Sequence, residues 1–310
     1  MFSVLFPGQG SQSVGMAKDL YDNFQYIKDL FNEADDTLSM SISKLIFEGP
    51  KEVLNETENT QPAIFLVSYA IFKAIKNETS FDISKASFFA GHSLGEYSAI
   101  ACAGYLDFQD TIKILKIRGN AMQNSMPKGE GGMLAVLGTT VENIENILKD
   151  NQNNFKAEIA NDNSEGQIVL SGKTNDLEKL SSFLKENKIK NIKLPVSAPF
   201  HCELIQSASK EMSTEISNYK FSPFIVPLYS NVTAKICDDK EIANLLINQI
   251  TSKVRWREIV ENMVYDGIKI FVEIGPGSVL TNLVKRISND VITVSISKLE
   301  DIEKLDNIKQ

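Results

Sequence analysis

Cysteine is scarce in this chain: Cys102, Cys202 and Cys237 are spread over 310 residues with no C-x-x-C pair. An odd, widely spaced set points to reduced thiols in a cytoplasmic protein and away from a disulfide framework or a zinc site. Basic residues are in deficit, with 32 Lys and Arg against 40 Asp and Glu and a formal charge of −8. Phosphate neutralisation needs a basic surface, so nucleic acid is not an expected partner, although a local basic patch stays compatible with this balance. Long apolar runs are also missing. The most apolar stretch, PAIFLVSYAIFKAI at 62–75, is interrupted by Ser68, Tyr69 and Lys73. It is too short and polar to cross a bilayer and reads as a buried helix, so no membrane partner is expected. The opening MFSVLFPGQG lacks the basic flank and longer apolar core of a signal peptide. Histidine is rarest of the chemically useful residues. There are two, His92 and His201, so any imidazole base has two candidates.

What is present fits one large globular domain or two unequal ones: 43% of residues are hydrophobic and 23% charged. FSVLF at 2–6 stops at Pro7-Gly8 and reads as a buried strand entering a glycine loop. ASFFA at 86–90 is a second buried strand, and LGEYSAIACAG at 94–104 has the residues of a packed helix. Between them lies GHSLG, a G-x-S-x-G that places Ser93 on a strand–turn–helix elbow. The next helix starts after a cap at Asp107 and runs through FQDTIKILKIRGNAMQNSM. The middle of the chain reads strand (132–138), helix (140–150), strand (155–162), turn at NSEG, strand (167–172), helix from a cap at Thr174 or Asn175, and a last strand in IKNIKLPV. This βαββαβ order is that of a ferredoxin-like unit and fits residues 126–196 as a small inserted subdomain. The chain then returns to the larger body, where IKIFVEIGPG is a strand ending in a glycine turn and SVLTNLVKRI a helix.

Ser93 is the first candidate for chemistry. Gly91 and Gly95 remove side chains that would block the sharp turn, and the serine is held at a helix start where backbone N–H groups point outward. A serine hydroxyl is a weak nucleophile without a base. His92 adjoins Ser93, and neighbouring side chains in such a turn diverge. Elimination leaves His201, in SAPFHCE. No acidic residue is placed to orient it, so a carbonyl is the alternative that could hold the tautomer. Cys202 reads as a packed thiol facing away from its neighbour. Arg118 lies at the edge of the stripe Ile112, Leu115, Gly119, Met122 and Met126. An arginine there ordinarily snorkels to water; beside a nucleophilic serine it could instead grip a substrate carboxylate with its fork.

FPGQGSQ at the N-terminus, GHSLGEYSA around the serine, Arg118-Gly119, APFH at 198–201 and EIGPG at 273–277 occur in one order along essentially the whole chain. In this the chain resembles the malonyl-CoA:acyl carrier protein transacylases of bacterial fatty acid synthesis, relatives of polyketide-synthase acyltransferase domains. The resemblance implies an α/β fold, with an α/β-hydrolase-like large subdomain (1–125 and 197–310) and the ferredoxin-like small one (126–196). It implies that Ser93 is acylated, that His201 is its base and that Arg118 binds the malonyl carboxylate. It assigns the oxyanion hole to the N–H groups of Gln9 and Leu94, and the carbonyl that orients the histidine to Gln249. It further implies that Phe200 crowds the acyl pocket, favouring malonyl over methylmalonyl. The partners implied are malonyl-CoA and acyl carrier protein, with no metal or redox cofactor, and a monomer is expected. Carrier proteins are acidic, so docking on an acidic chain calls for a local basic patch, for which Lys285 and Arg286 are candidates. Two other readings remain at this stage: a serine hydrolase or thioesterase using the same pair on water, and a non-catalytic carrier-protein-binding scaffold.

Overall fold

The computed structural model describes residues 1–196 and 198–308. Among them are eight named strands: β1 (Phe2–Phe6), β2 (Phe88–Gly91), β3 (Gly131–Leu137), β4 (Ala157–Ser164), β5 (Gln167–Lys173), β6 (Lys190–Lys193), β7 (Ile270–Ile274) and β8 (Ile292–Ile296). They form an α/β structure with one parallel and one antiparallel sheet. Every residue of β1 is buried, which suits the interior of a parallel sheet covered on both faces. It pairs in parallel with β2 on one side and β7 on the other, and β8 adds beyond β7, giving the order β2-β1-β7-β8. The register sets Phe6 beside Gly91 and Leu5 beside Glu273. The Pro7-Gly8 loop, the Ser93 turn and the Gly275–Gly277 turn therefore leave the same, carboxyl, edge of the sheet, where open α/β sheets bind their ligands.

The second sheet has the order β4-β5-β3-β6 and is antiparallel throughout. Its strands alternate faces with period two. Leu134, Val136, Ile168 and Leu170 join Ile144, Leu177, Leu180 and Leu184 in a core between the sheet and the helices Val141–Asp150 and Thr174–Glu186. The residues in between, Met133, Ala135, Gln167 and Val169, face the opposite way and line a cavity shared with the parallel sheet. Two register shifts in β4 bracket Asn161 and Asp162. There the strand leaves its ladder and meets the larger body: Asp162 N–H donates to Val254 O (2.9 Å), Val254 N–H donates to Ala160 O (2.8 Å), and Arg257 Nη2 grips Asp162 at 2.8 Å.

The expected elements recur with small differences. Asp107 caps its helix by accepting from Asp110 N–H, and the helix ends at Asn124, short of Met126. The residue at the start of Thr174–Glu186 is Lys173, not Thr174 or Asn175. Thr174 Oγ1 is turned back to donate to Gly129 O (2.6 Å), so it is unavailable as a cap. β4 continues to Ser164, which leaves only Glu165-Gly166 for the turn expected over NSEG. PAIFLVSYAIFKAI lies inside the helix Thr57–Glu78, almost all of it buried. No helix among the described residues is long and apolar enough to cross a membrane.

Candidate active site

Ser93 joins β2 to the helix Leu94–Cys102 with φ 54° and ψ −110°, a backbone conformation that L-residues rarely adopt. Close packing holds the turn. A Cβ on Gly91 would sit 1.9 Å from the Gly95 carbonyl carbon, and one on Gly95 would sit 2.1 Å from Phe6 O. The elbow can therefore press against the end of β1 only with glycine at both places. Asn231 fastens it: its Oδ1 accepts from Ser93 N–H (2.7 Å) and its Nδ2 donates to Gly91 O (2.7 Å).

Ser93 Oγ lies 2.8 Å from His201 Nε2. On the far side of the ring, Nδ1–H donates to the backbone oxygen of Gln249 (2.8 Å), which leaves the lone pair on Nε2, facing the serine. Burial, helped by the nearby Arg118 charge, pushes the His201 pKa down to about 3, so the ring is neutral near pH 7 and able to accept a proton. His92 is turned away. Its Nε2 meets Asn163 Oδ1 at 2.8 Å, tying the elbow to β4, and its ring stands 5.6 Å from that of Trp256. Cys202 is packed with its thiol on Pro199 O (3.1 Å), and burial raises its pKa to about 12.

Arg118, on the helix Phe108–Asn124, does not snorkel; it is 0% exposed. Nη1 donates to Gln61 Oε1 (2.7 Å), while Nη2 donates to Gln249 Oε1 (2.7 Å) and to Ser93 Oγ (3.2 Å). The guanidinium carbon stands 5.4 Å from the centre of the Tyr97 ring. Its described hydrogen-bond partners are neutral oxygens, so a buried cation is aimed at the serine with no carboxylate in direct contact. Such a site favours an anion. Glu96, also buried, accepts from Gln249 Nε2 (2.6 Å) and from Asn231 N–H (3.3 and 3.4 Å). Burial pushes its pKa up to about 7.

The cavity beside Ser93 has a volume of about 240 Å³. Gln9 and Leu94 line it, and among the described residues neither backbone N–H has a hydrogen-bond partner. Phe200 lines it too, immediately before His201. One wall is the helix Val279–Ile287, through Val279, Leu280 and Leu283. Lys285 and Arg286 lie exposed on the same helix, with Arg286 Nη1 reaching Gln167 Oε1 (2.5 Å) across to β5. Ser93, His201, Arg118 and Gln249 are thus joined in one hydrogen-bonded cluster. Gln61, Glu96 and Asn231 belong to it but were missed in the sequence. Glu96 lies in the segment read as a packed helix, where its polarity is the signal, whereas Gln61 and Asn231 fall outside the segments read as buried.

A serine hydrogen-bonded to a neutral imidazole, at the carboxyl edge of a parallel sheet, is the arrangement that enzymes of the acyl-transferring or hydrolysing class use. The chain belongs to the acyl transferase domain family, whose model matches residues 4–302. It is 39% identical over 298 residues to the malonyl CoA-acyl carrier protein transacylase of Haemophilus influenzae, covering 96% of this chain and 95% of that protein. The acyl-carrier-protein-S-malonyltransferase of Bartonella henselae superposes with a TM-score of 0.94 at 40% identity, over 98% of this chain and 97% of that one. A malonyl-transacylase solved in complex with its type II PKS acyl-carrier protein also has a TM-score of 0.94, at 35% identity over 99% of both chains.

Proposed function

We propose that this chain moves a malonyl group from malonyl-CoA to the phosphopantetheine thiol of acyl carrier protein, through a malonyl-serine intermediate, in fatty acid biosynthesis. The observation that carries the reading is the buried Arg118 fork, 3.2 Å from Ser93 Oγ. A carboxylate on that fork and an acyl carbon at that oxygen can be only a carbon or two apart. Malonyl, with one methylene between its two carboxyl carbons, meets this condition. Relatives named for malonyl transfer to carrier protein support the same donor and acceptor.

In this mechanism His201 Nε2 takes the Ser93 proton as Oγ attacks the thioester carbonyl. The N–H groups of Gln9 and Leu94 stabilise the tetrahedral oxyanion. The C–S bond breaks, the coenzyme A sulfur takes the proton from His201, and a malonyl ester remains on Ser93. The carrier-protein thiol then gives its proton to His201 as its sulfur attacks the ester. Collapse returns the proton to Ser93 Oγ. Gln249 O holds the imidazole tautomer through both steps, and Phe200 crowds the pocket against a methyl branch.

The larger body (1–125 and 197–310) is taken as an α/β-hydrolase-like catalytic subdomain and 126–196 as a ferredoxin-like one; residue 197 at the boundary and residues 309–310 lie outside the described residues. The βαββαβ succession and the order β4-β5-β3-β6 support the second assignment. A monomer suffices, since the clustered groups come from a single chain. The test is intact-protein mass spectrometry. Malonyl-CoA should add one malonyl group to the wild type and none to Ser93→Ala, and holo carrier protein should remove it faster than water does. Faster release to water would select the hydrolase reading, and no adduct would select the scaffold.

A further inference from the structure

Gln61 stands on the helix Thr57–Glu78, 1% exposed, and lines the cavity together with Ser93. Its Oε1 is the one described hydrogen-bond partner of Arg118 Nη1 (2.7 Å). The neighbouring Nη2 has Gln249 Oε1 and Ser93 Oγ, and Nε has no described partner. Gln61 Nε2 turns to the sulfur of Met122 (3.7 Å), one helical turn beyond Arg118. The carbonyl end of the amide therefore meets the guanidinium and the NH2 end meets a weak acceptor. An Nη group carries two hydrogens, so Gln61 takes one from Nη1 and leaves the other. It does so without supplying a charge. Glu96, the carboxyl group that acts on Arg118 through space, spends its hydrogen bonds on Gln249 and Asn231 instead. The steps above give Gln61 no task, yet a carboxylate in its place would have nearly the same shape and would close the cation off in an internal ion pair.

We infer that Gln61 is a positioning residue that sets specificity: it holds the Arg118 fork through a neutral oxygen and so reserves the positive charge for the carboxylate of the acyl group. The inference rests on the malonyl-transfer reading and deepens it. Two requirements meet at this position. Nη1 needs a partner, because a buried donor left without one carries a desolvation penalty. That partner must not be an anion, because a buried cation already paired with a carboxylate has little left to offer a second one. The amide oxygen meets both requirements. Glutamate would meet only the first. Methionine, of similar length and uncharged, would meet only the second.

The experiment measures Ser93 acylation by two donors of one shape and different charge, malonyl-CoA and its uncharged amide malonamyl-CoA. It compares wild type, Q61E and Q61M, with thermal midpoints alongside. Wild type should prefer malonyl. Q61E should lose about tenfold or more of that preference, through a raised KM for malonyl. Q61M leaves the cation without a counter-ion, so its malonyl-to-malonamyl ratio should stay within about threefold of wild type. A merely structural Gln61 would slow both donors together and leave the ratio in Q61E where it was. Q61E should melt no lower than wild type, since its carboxylate meets a cation that is already buried. An unchanged ratio in Q61E, a loss in Q61M as large as that in Q61E, or a Q61E chain that fails to fold or melts well below wild type overturns the inference and leaves the malonyl reading intact. A wild type that shows no preference for malonyl overturns both.

Discussion

At the residue scale, the site turns on the burial of two bases whose charge states differ. Arg118 keeps its cation among neutral partners, and substitution should expose what that charge does. Arg118→Ala is expected to reduce malonyl acylation of Ser93 by about 10–100-fold more than acetyl acylation, the worth of a charge-assisted hydrogen bond plus the penalty of mispairing. Equal losses for both acyl groups would make Arg118 a packing residue. His201, by contrast, is held neutral. Its pKa is lowered to about 3, so the base form persists well below the usual imidazole range. With a malonyl thioester of N-acetylcysteamine, which carries no titrating phosphate, kcat/KM for acylation should stay level as pH falls from about 6 to about 5, below the value near 7 at which the buried Glu96 titrates and above that of His201. A continuing fall across that window, as an ordinary imidazole would give, would contradict this. The same shift has a stability consequence of definite sign. Between the unfolded value near 6.5 and the folded value, the unfolded chain binds a proton that the folded chain refuses, so His201 makes the fold less stable as pH drops through that window.

At the element scale, the helix Val279–Ile287 has two faces with different tasks. Leu280 and Leu283 wall the cavity, while Lys285 and Arg286 stand exposed at its last turn, where cations also complement the helix dipole. Arg286 reaches Gln167 on the opposite wall, which puts this basic pair beside the cavity. An acidic carrier protein and an acidic chain lack net attraction, so a pair in this place would act on docking. Lys285→Glu with Arg286→Glu is expected to slow transfer from malonyl-Ser93 to carrier protein and to flatten its salt dependence. Acylation by a malonyl donor without coenzyme A should change much less. Equal effects on both half-reactions, or none on either, would place docking elsewhere.

At the scale of the whole molecule, the cavity is made by two sheets that must stay in register with each other. The register is kept where β4 leaves its ladder: Asp162 is almost wholly buried, and Arg257 grips it through Nε and Nη2 while remaining 27% exposed on its own side chain. Asp162→Asn keeps the shape but turns an NH2 toward the guanidinium. The expected cost is about 1–2 kcal/mol, below that of a fully buried pair because Arg257 is partly hydrated. It is read as a lowered thermal midpoint, with malonyl acylation at 25 °C falling less than tenfold. An unchanged midpoint would mean that the backbone pairing of Asp162 with Val254 suffices.

The sequence by itself determined the elements whose causes are local. The apolar run of β1, the glycines around Ser93, the Asp107 cap and the alternation of β3 and β5 all stand where short-range sterics and periodicity put them. Scarcity also made the imidazole legible, since two histidines left one candidate once adjacency removed His92. The strand β8 was not anticipated: ITVSI at 292–296 is partly exposed along most of its length and gains its pairing only from β7. The direction of the Arg118 head was likewise open, because a position at the edge of an apolar stripe is compatible with water or with the interior. Only tertiary structure decided it, by bringing Gln61 and Gln249 from 57 and 131 residues away to receive the guanidinium. Glu96, Asn231 and the Gln249 side chain entered the site the same way. A hydrogen bond needs its partner within about 3 Å, and separation along the chain carries no information about that distance until the sheets have been assembled.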